Sequence, residues 1–231
     1  MGKSDESFLG VGDTVVAELQ DLAGLQPEDD VLDIGCGYGR VAHALLRHGH
    51  RGDYIGMDIL PRHIAWCSEQ LTPATGGRYV FHHLDVENAR YNPAGSLSPN
   101  DVSLDFGLQP TLVIATSVFT HMYADTIEHY LRELRRIIAP NGRVFATFFL
   151  MNSSQSEMEQ AGRSAYPLTH RKDAWTCYFN DEDPLHMIAY DQDWVEALVE
   201  SSGFHVTALE LGTWCGRPGQ RVYQDSMVLR P

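Results

Sequence analysis

Residues 31–40 read VLDIGCGYGR, a mostly apolar run that ends in three glycines placed two residues apart. Apolar runs of this kind are typical of strands that a parallel sheet buries on both faces. Glycines that follow a strand directly permit the positive φ angles of a sharp turn into a helix. The stretch therefore predicts a strand, a tight turn and a helix, at the edge where open α/β sheets bind ligands.

The spacing of the glycines narrows the kind of ligand. A dinucleotide fingerprint, G-x-G-x-x-G, would need its third glycine at position 40, where this chain has Arg40. Gly35, Gly37 and Gly39 form a shorter loop, which suits a ligand without phosphates. A strand-to-helix turn without any ligand would also explain the glycines, so the surrounding residues have to decide.

The rest of the chain alternates between apolar runs and segments with helical spacing. Five strands are predicted, at residues 29–35, 53–60, 78–86, 111–117 and 143–151. This alternation is typical of an α/β doubly wound fold with a parallel sheet. Two last strands, at 204–214 and 221–230, suggest an antiparallel hairpin. We expect one domain over 1–231, with an N-terminal cap helix in 1–24 and an insertion or lid at 151–190.

The composition favours an acidic protein of the cytoplasm. The 231 residues include 17 Lys and Arg against 31 Asp and Glu, which gives a net charge of −14. That charge repels phosphate backbones and argues against nucleic-acid substrates. No apolar run reaches the ~20 residues of a membrane span. The four cysteines form no C-x-x-C pair, as expected for reduced thiols rather than for disulfides or a zinc site.

Acidic residues stand at or near the ends of three predicted strands. Asp58 ends the second strand, where a carboxylate can accept hydrogen bonds from both ribose hydroxyls. Asp85 ends the third, within reach of an adenine amino group. Taken singly, Asp58 would also serve as the N-cap of a helix that starts at Pro61, and Asp85 as a turn residue. Together with Asp33 and the glycine loop, they lie at one edge of the predicted sheet.

This combination resembles the class I S-adenosylmethionine-dependent methyltransferases, and within them a bacterial small-molecule type. The stretches that carry the resemblance are VLDIGCGYGR, YIGMDI, FHHLDV and TSVFTHM, and it covers about residues 25–150 before returning in the last helix and hairpin. It implies a Rossmann-like sheet of seven strands in the order 3-2-1-4-5-7-6, mostly parallel with an antiparallel terminal strand. It also implies S-adenosyl-L-methionine as the cofactor.

The resemblance assigns parts of that cofactor to particular residues. The expected contacts are Asp33, Gly35, Gly37, Tyr38, Gly39, Arg40, Asp58, Ile59, Asp85, Val86 and Thr116. The glycine loop would lie under the methionine and ribose, with Asp33 at the amino group, Arg40 at the carboxylate, and the Thr116 carbonyl at the ammonium. Asp58 would hold the ribose hydroxyls, and the residues around 59 and 85–86 would contact adenine.

Catalytic residues are harder to predict, because methyl transfer depends mainly on aligning the acceptor with the methyl group. His121, in TSVFTHM, follows the fourth strand and is our candidate general base. Alternatively, it shapes the pocket or caps the next helix. Tyr123, nearby, is a candidate for substrate binding. Trp214 and Arg217 would bind a flat or anionic acceptor, unless they only pack a tight hairpin.

Motifs missing from the sequence narrow the acceptor further. The fourth strand ends in ATS rather than in an acid, which disfavours the metal-dependent catechol type, and neither N-P-P-Y nor Pro-Cys follows it. We therefore expect O-methylation of a small molecule without a metal, with N or S acceptors next. The aromatic residues of 153–188 would cover the substrate, form a small subdomain or lie in a homodimer interface. Methylation of protein or RNA, and cofactor binding without catalysis, are the alternatives.

Overall fold

The computed structural model describes residues 5–219 and 222–231. Six helices lie at Asp5–Leu22 (α1), Arg40–Arg47 (α2), Pro61–Ala74 (α3), Ala124–Ile137 (α4), Ser153–Gln160 (α5) and Gln192–Ser201 (α6). Seven strands form the main sheet: Val31–Ile34 (β1), Tyr54–Asp58 (β2), Tyr79–His83 (β3), Leu112–Ala115 (β4), Arg143–Phe148 (β5), His205–Glu210 (β10) and Asp225–Arg230 (β11). Four short strands form a second sheet: Leu150–Met151 (β6), His170–Arg171 (β7), Thr176–Tyr178 (β8) and Ile188–Asp191 (β9).

The main sheet has the order β3-β2-β1-β4-β5-β11-β10. The pairs along β3, β2, β1, β4 and β5 are parallel, whereas β11 is antiparallel to both of its neighbours. Counted along the chain, this is the predicted order 3-2-1-4-5-7-6, so the predicted fold class is confirmed. The carboxyl ends of β1, β2, β4 and β5 therefore lie side by side at one edge.

The fifth strand is shorter than the sequence predicts. It ends at Phe148 rather than at 151, and Leu150 and Met151 pair with β9 in the second sheet, whose order is β6-β9-β8-β7. The Leu150 amide donates to the carboxylate of Asp225 (2.7 Å), which fixes the point where the chain leaves the main sheet. An unbroken apolar run thus serves two sheets, because apolarity alone does not mark the corner between them.

Both faces of the main sheet are covered, since strand residues alternate between two apolar clusters. Leu32 and Ile34 belong to the cluster under α4 and α6, whereas Val31 belongs to the cluster under α1, α2 and α3. By the same alternation, Asp33 faces the side of α1, α2 and α3. Among the described residues, no helix combines the length and apolar character that a membrane crossing needs.

A buried ion pair closes the amino edge of the sheet. The guanidinium of Arg143, at the start of β5, donates to both carboxylate oxygens of Asp29, at 2.7 and 2.5 Å. It also donates to the carbonyls of Ala23, Gly24 and Thr111. This geometry satisfies a charge that burial would otherwise make costly.

Candidate functional site

The glycine turn at the end of β1 has the left-handed backbone that its sequence predicts. The φ angles of Gly35, Gly37 and Gly39 are 71°, 56° and 68°. A Cβ atom at Gly35 would lie 2.7 Å from Val118 Cγ2, and one at Gly39 would lie 2.7 Å from Leu71 Cδ1. A Cβ at Gly37 would meet nothing within 4 Å, so this glycine faces open space. The turn therefore packs tightly on two sides and leaves its middle free for a ligand.

Asp58, at the end of β2, holds the same turn in place. Its Oδ2 accepts a hydrogen bond from the Gly37 amide (2.9 Å), and its Oδ1 accepts one from the Leu60 amide (2.8 Å). His63 Nδ1 lies 3.3 Å from Oδ1. Asp58 is thus both the N-terminal support of α3 and the partner of the glycine turn.

A cavity of about 580 Å³ opens above the turn, between α1 and the ends of the main-sheet strands. Its walls combine apolar side chains with a few polar ones, as small-molecule sites do. The lining includes Phe8, Val11, Glu18, Asp33, Gly35, Gly37, Tyr38, Arg40, His63, Thr116, Ser117, Thr147, Val222, Tyr223, Gln224 and Ser226. Helix α1 contributes Phe8, Val11 and Glu18 to this lining.

Asp33 is a buried acid that lines this cavity and has few partners to stabilise its negative charge. Its side chain accepts a hydrogen bond from the Tyr54 hydroxyl (2.5 Å), and no ion pair involves it among the residues described. Burial raises the pKa of Asp33 to about 7, the Tyr54 hydrogen bond opposes that rise, and the nearby charge of Asp58 adds to it. A cationic ligand beside Asp33 would supply the missing charge.

Three further side chains in the cavity have buried polar atoms without partners in the described structure: Arg40 Nε, His63 Nε2 and Thr116 Oγ1. Burial lowers the pKa of Arg40, whose guanidinium lies over the Phe8 ring at 5.7 Å from its centroid. Buried polar groups are normally hydrogen-bonded, so orphaned ones inside a cavity indicate a polar ligand. S-adenosylmethionine fits this set, because its methionine part carries both an ammonium and a carboxylate.

The structure brings together most of the residues predicted to hold the methionine part. Asp33, Gly35, Gly37, Tyr38, Arg40 and Thr116 line the cavity, and Gly39 and Asp58 form the turn beneath it. The residues predicted to contact adenine do not line it. Ile59 packs on the apolar core, Val86 is buried, and the exposed carboxylate of Asp85 accepts hydrogen bonds from Asn92 and Ser96. Those hydrogen bonds lower the pKa of Asp85.

Tyr123 lines a second cavity of about 450 Å³, between residues 89–91 and 182–185, and His121 contacts Leu185 of its wall. His121 Nδ1 is 2.7 Å from the Leu185 carbonyl, so the proton sits on Nδ1 and Nε2 keeps its lone pair. Burial lowers the pKa of His121, although the hydrogen bond to Leu185 opposes this. Tyr123 contributes to the cavity wall and has the Lys172 ammonium 4.1 Å from its ring centroid. The larger cavity does not include either residue in its lining.

Trp214 and Arg217, predicted to bind substrate, are buried around the carboxylate of Asp225. Asp225 accepts hydrogen bonds from Trp214 Nε1 (2.6 Å), Arg217 Nη1 (3.3 Å) and the Gly212 amide (2.7 Å). Burial raises the pKa of Asp225 despite these partners. Arg217 also donates to Ser154 Oγ (2.9 Å), at the start of α5. In this structure both side chains join the C-terminal hairpin to the second sheet, and substrate binding by them stays a prediction.

Ser117, Thr147 and Gln224 are among the polar residues of the cavity wall that the sequence did not predict. They come from three distant parts of the chain, and only neighbouring strands bring them together. One signal was available, since Thr147 interrupts the otherwise apolar stretch of β5 with a hydroxyl. In the described part of the chain, no group of three His, Cys, Asp or Glu side chains is arranged to hold a metal.

Comparisons with known proteins agree with this geometry. Residues 32–144 match the family described as methyltransferase domain. A crystallised protein from Pyrococcus horikoshii OT3 has a TM-score of 0.64 and 17% identity, covering 99% of this chain and 92% of that one. The 1,6-didemethyltoxoflavin-N1-methyltransferase of Burkholderia thailandensis, solved with 1,6-didemethyltoxoflavin and S-adenosylhomocysteine, has a TM-score of 0.60 and 18% identity over 98% and 79% of the two chains.

Magnesium protoporphyrin IX methyltransferase from Synechocystis PCC 6803, with bound S-adenosylhomocysteine, has a TM-score of 0.59 and 16% identity, covering 100% of this chain and 90% of that one. At such identities these structures support the fold alone. The glycine turn and the strand order agree with the methyltransferase domain that residues 32–144 match.

Proposed function

We propose that this enzyme transfers the methyl group of S-adenosylmethionine to an oxygen atom of a small molecule, by alignment and without a metal ion. The observation that carries the proposal is the cavity itself. Helix α1 covers the strand ends, and the space beneath it is about 580 Å³, within the range of small-molecule sites. A protein or RNA acceptor would need a more open groove, and RNA would need a basic one, whereas this chain carries a net charge of −14.

Two of the similar structures support a small acceptor. The Burkholderia thailandensis enzyme was solved with 1,6-didemethyltoxoflavin bound, and the Synechocystis enzyme is named for magnesium protoporphyrin IX. Both compounds are small molecules. We extend that class of acceptor to this chain, together with the bacterial small-molecule type that the sequence resembles.

We assign the cofactor to the residues that the sequence analysis selected. Asp33, Arg40 and Thr116 would hold the charged groups of the methionine part, because each faces the cavity and has unmet polar or charge demand. Gly37 would lie against the cofactor, since a side chain there would enter the open space. When bound, the cofactor supplies a methyl group already activated by its sulfonium. Ile59, Asp85 and Val86 remain our candidates for the adenine end.

The residues of this chain then act by positioning the acceptor and by excluding water from it. His121 stays our candidate for removing a proton from the acceptor on the strength of the sequence, although it lies outside the lining of the 580 Å³ cavity. Its Nδ1 is engaged by Leu185, its Nε2 lone pair is available, and burial lowers its pKa, so the ring is neutral at pH 7. A neutral imidazole held in one tautomer is the form that a general base requires.

Replacing His121 with Ala tests this role. We expect turnover of the true acceptor to fall about 100-fold or more at pH 7, with unchanged affinity for S-adenosylhomocysteine. The matched control is His48→Ala, which removes an exposed imidazole near Asp13 on the surface. Near-full turnover in His121→Ala would make His121 a wall residue only.

We also propose that the segment 151–190, which contains most of the second sheet, acts as a lid. The ion pair between Arg90 and Asp183 and the hydrogen bond between His121 and Leu185 attach its far end to the loops beside the main sheet. A homodimer and a cytoplasmic location stay predictions from the sequence, as does a single domain over residues 1–231.

The proposed function is tested by incubating the protein with methyl-labelled S-adenosylmethionine and a cell extract, followed by filtration. Label that depends on the protein and passes the filter would support a small acceptor and yield a compound to identify. Label retained on protein or RNA would contradict the proposal. No transfer to either fraction, with S-adenosylhomocysteine still bound tightly, would favour a cofactor-binding protein without catalysis.

A further inference from the structure

Three polar side chains meet in the cavity wall outside the residues assigned to the cofactor. Ser117 follows β4, Thr147 lies in β5 and Gln224 precedes β11, and these three strands are neighbours in the sheet. The hydroxyls of Ser117 and Thr147 both donate to Gln224 Oε1, at 2.9 and 2.7 Å. The Ser117 amide donates to Thr147 Oγ1 at 2.7 Å. We call this set the Ser117–Thr147–Gln224 cluster.

The cluster holds a backbone conformation that serine rarely adopts. Ser117 has a φ of 57°, and it is the one residue other than glycine with a positive φ among those described. Such conformations persist where the surroundings enforce them, and they concentrate at functional sites. Here Thr147 fixes the Ser117 amide and Gln224 fixes its hydroxyl, so the strained residue is held from both sides.

A count of hydrogen-bond groups shows what the cluster offers to a ligand. Each hydroxyl hydrogen is used by Gln224 Oε1, and the Thr147 oxygen accepts from the Ser117 amide. The side-chain amide nitrogen of Gln224 has no partner among the described residues, although Gln224 lines the cavity. Since an amide nitrogen carries two hydrogens, Gln224 presents donors to the cavity, beside the acceptor lone pairs of the Ser117 hydroxyl oxygen.

The charges of the cavity limit what can accept those hydrogen bonds. Glu18 and Asp33 both line it, and Glu18 accepts a hydrogen bond from Ser226 at 3.1 Å. Among the described lining residues Arg40 is the one Arg or Lys, and it is assigned to the carboxylate of the cofactor, so none of them is left to pair with an anionic acceptor. The lining of the cavity also includes the apolar or aromatic side chains of Phe8, Val11, Val222 and Tyr223. An uncharged ring with a carbonyl or phenolic oxygen suits these walls.

We infer that the Ser117–Thr147–Gln224 cluster positions the methyl acceptor, and that Gln224 donates a hydrogen bond to an uncharged oxygen on an apolar or aromatic molecule. This inference rests on the proposed function, because it places a small acceptor in the same cavity as the cofactor. Gln224 is a specificity-determining residue in this arrangement, and Ser117 and Thr147 act through it.

The test uses acetophenone, benzoate and benzylamine as probes, titrated by NMR into the protein saturated with S-adenosylhomocysteine. The variant is Gln224→Glu, which keeps an oxygen for the two hydroxyls and replaces the donor nitrogen with an anionic oxygen. The control is Gln70→Glu, the same chemical change at an exposed position of α3.

We expect the wild-type protein to bind acetophenone more tightly than the other two probes. In Gln224→Glu, acetophenone should bind about fivefold more weakly and benzylamine more tightly, as expected for the loss of one neutral hydrogen bond and the gain of a charge. Gln70→Glu should match the wild type, and the affinity for S-adenosylhomocysteine should be equal in all three proteins.

Several results would overturn the inference. They are equal binding of acetophenone to wild type and Gln224→Glu, no binding of acetophenone at millimolar concentration, or a loss of S-adenosylhomocysteine affinity in Gln224→Glu. Wild-type preference for benzylamine would mean that Glu18 rather than Gln224 selects the acceptor. If Gln224→Glu does not fold, the inference is tested by nuclear Overhauser contacts between acetophenone and Tyr223 in the wild type. The absence of these contacts would overturn the inference.

The labelled-methyl experiment separates this inference from the proposed function. If the acetophenone test fails while label still passes the filter, the cluster does not position the acceptor, but the proposed activity on a small molecule is still supported. Label retained on macromolecules would contradict both the inference about the cluster and the proposed function.

Discussion

An aspartate is buried at each end of the central strand β1, and the surrounding structure lowers the pKa of one carboxyl group and raises that of the other. Asp29, before the amino end, would have its pKa raised by burial, but hydrogen bonds from Arg143, Gln26 and Thr111 outweigh this and hold the pKa below its usual range. Asp33, near the carboxyl end, is 2% exposed and has a pKa raised to about 7. The hydrogen-bonded acid stabilises the fold, whereas the acid with the raised pKa suits the cationic ligand that we propose for it.

The largest expected effect tests the ion pair of Asp29 at the amino end of β1. Arg143→Leu should lower the free energy of unfolding by about 3–5 kcal/mol, because it leaves the buried carboxylate of Asp29 without its partner. Arg136→Leu is the control, since Arg136 pairs with Glu133 and Asp105 at the surface and should cost less than ~1 kcal/mol. Denaturant unfolding measures both. A loss below that of the control would mean that the pair does not hold the amino edge.

The next prediction concerns Asp33, near the carboxyl end of β1. Asp33→Asn should weaken S-adenosylhomocysteine binding at least about tenfold, measured by calorimetry, because a charged hydrogen bond to the ammonium is lost. The same change should stabilise the ligand-free protein at pH 8 by roughly 1–3 kcal/mol, since no buried charge has to form. Asp29→Asn should do the reverse, with lower stability and unchanged affinity. If Asp33→Asn destabilises the ligand-free protein, the contrast between the ends fails.

The pH dependence of stability follows from the same pKa. Because the pKa of Asp33 rises from 3.8 to about 7 on folding, its contribution to stability is complete below 3.8 and is lost as the pH rises through about 7. The ligand-free wild type should therefore lose stability over this range relative to Asp33→Asn.

Asp58→Ala should weaken S-adenosylhomocysteine binding by about tenfold, because Asp58 is assigned to the ribose and also holds the Gly37 amide. A 2′-deoxy analogue of the ligand separates these roles. The wild type should discriminate against the analogue, and Asp58→Ala should bind both ligands equally. Continued discrimination by the variant would remove the ribose assignment and leave Asp58 as a support of the turn.

The smallest expected effect concerns strain at the carboxyl edge. Ser117→Gly should raise the free energy of unfolding by up to about 1 kcal/mol, because glycine adopts a positive φ without a steric cost. Ser156→Gly, inside α5, should instead lose about 1 kcal/mol. A clear loss in Ser117→Gly would mean that the hydroxyl of Ser117 stabilises the fold more than its backbone strains it.

Local sequence patterns were sufficient to predict the structure wherever neighbouring residues in the chain are also neighbours in space. The stretch 33–40 predicts its own strand, turn and helix, and the glycines have the predicted positive φ angles. The sheet order was predicted from the family resemblance, because alternating strands and helices with a terminal hairpin narrow the arrangements without fixing one. The corner at residue 149 could not be predicted in this way, because the apolar run continues through it while the strands on either side belong to different sheets.

The sequence by itself determined the class of fold, the glycine turn and the acids that the cofactor resemblance uses. Only the tertiary structure decided which polar residues share the cavity. It turned Trp214 and Arg217 inward around Asp225, and it brought Ser117, Thr147 and Gln224 together from positions up to 107 residues apart. A turn is encoded by adjacent backbone preferences, whereas such a cluster depends on which strands are neighbours, and the pairing of distant strands leaves no mark on the residues beside each one.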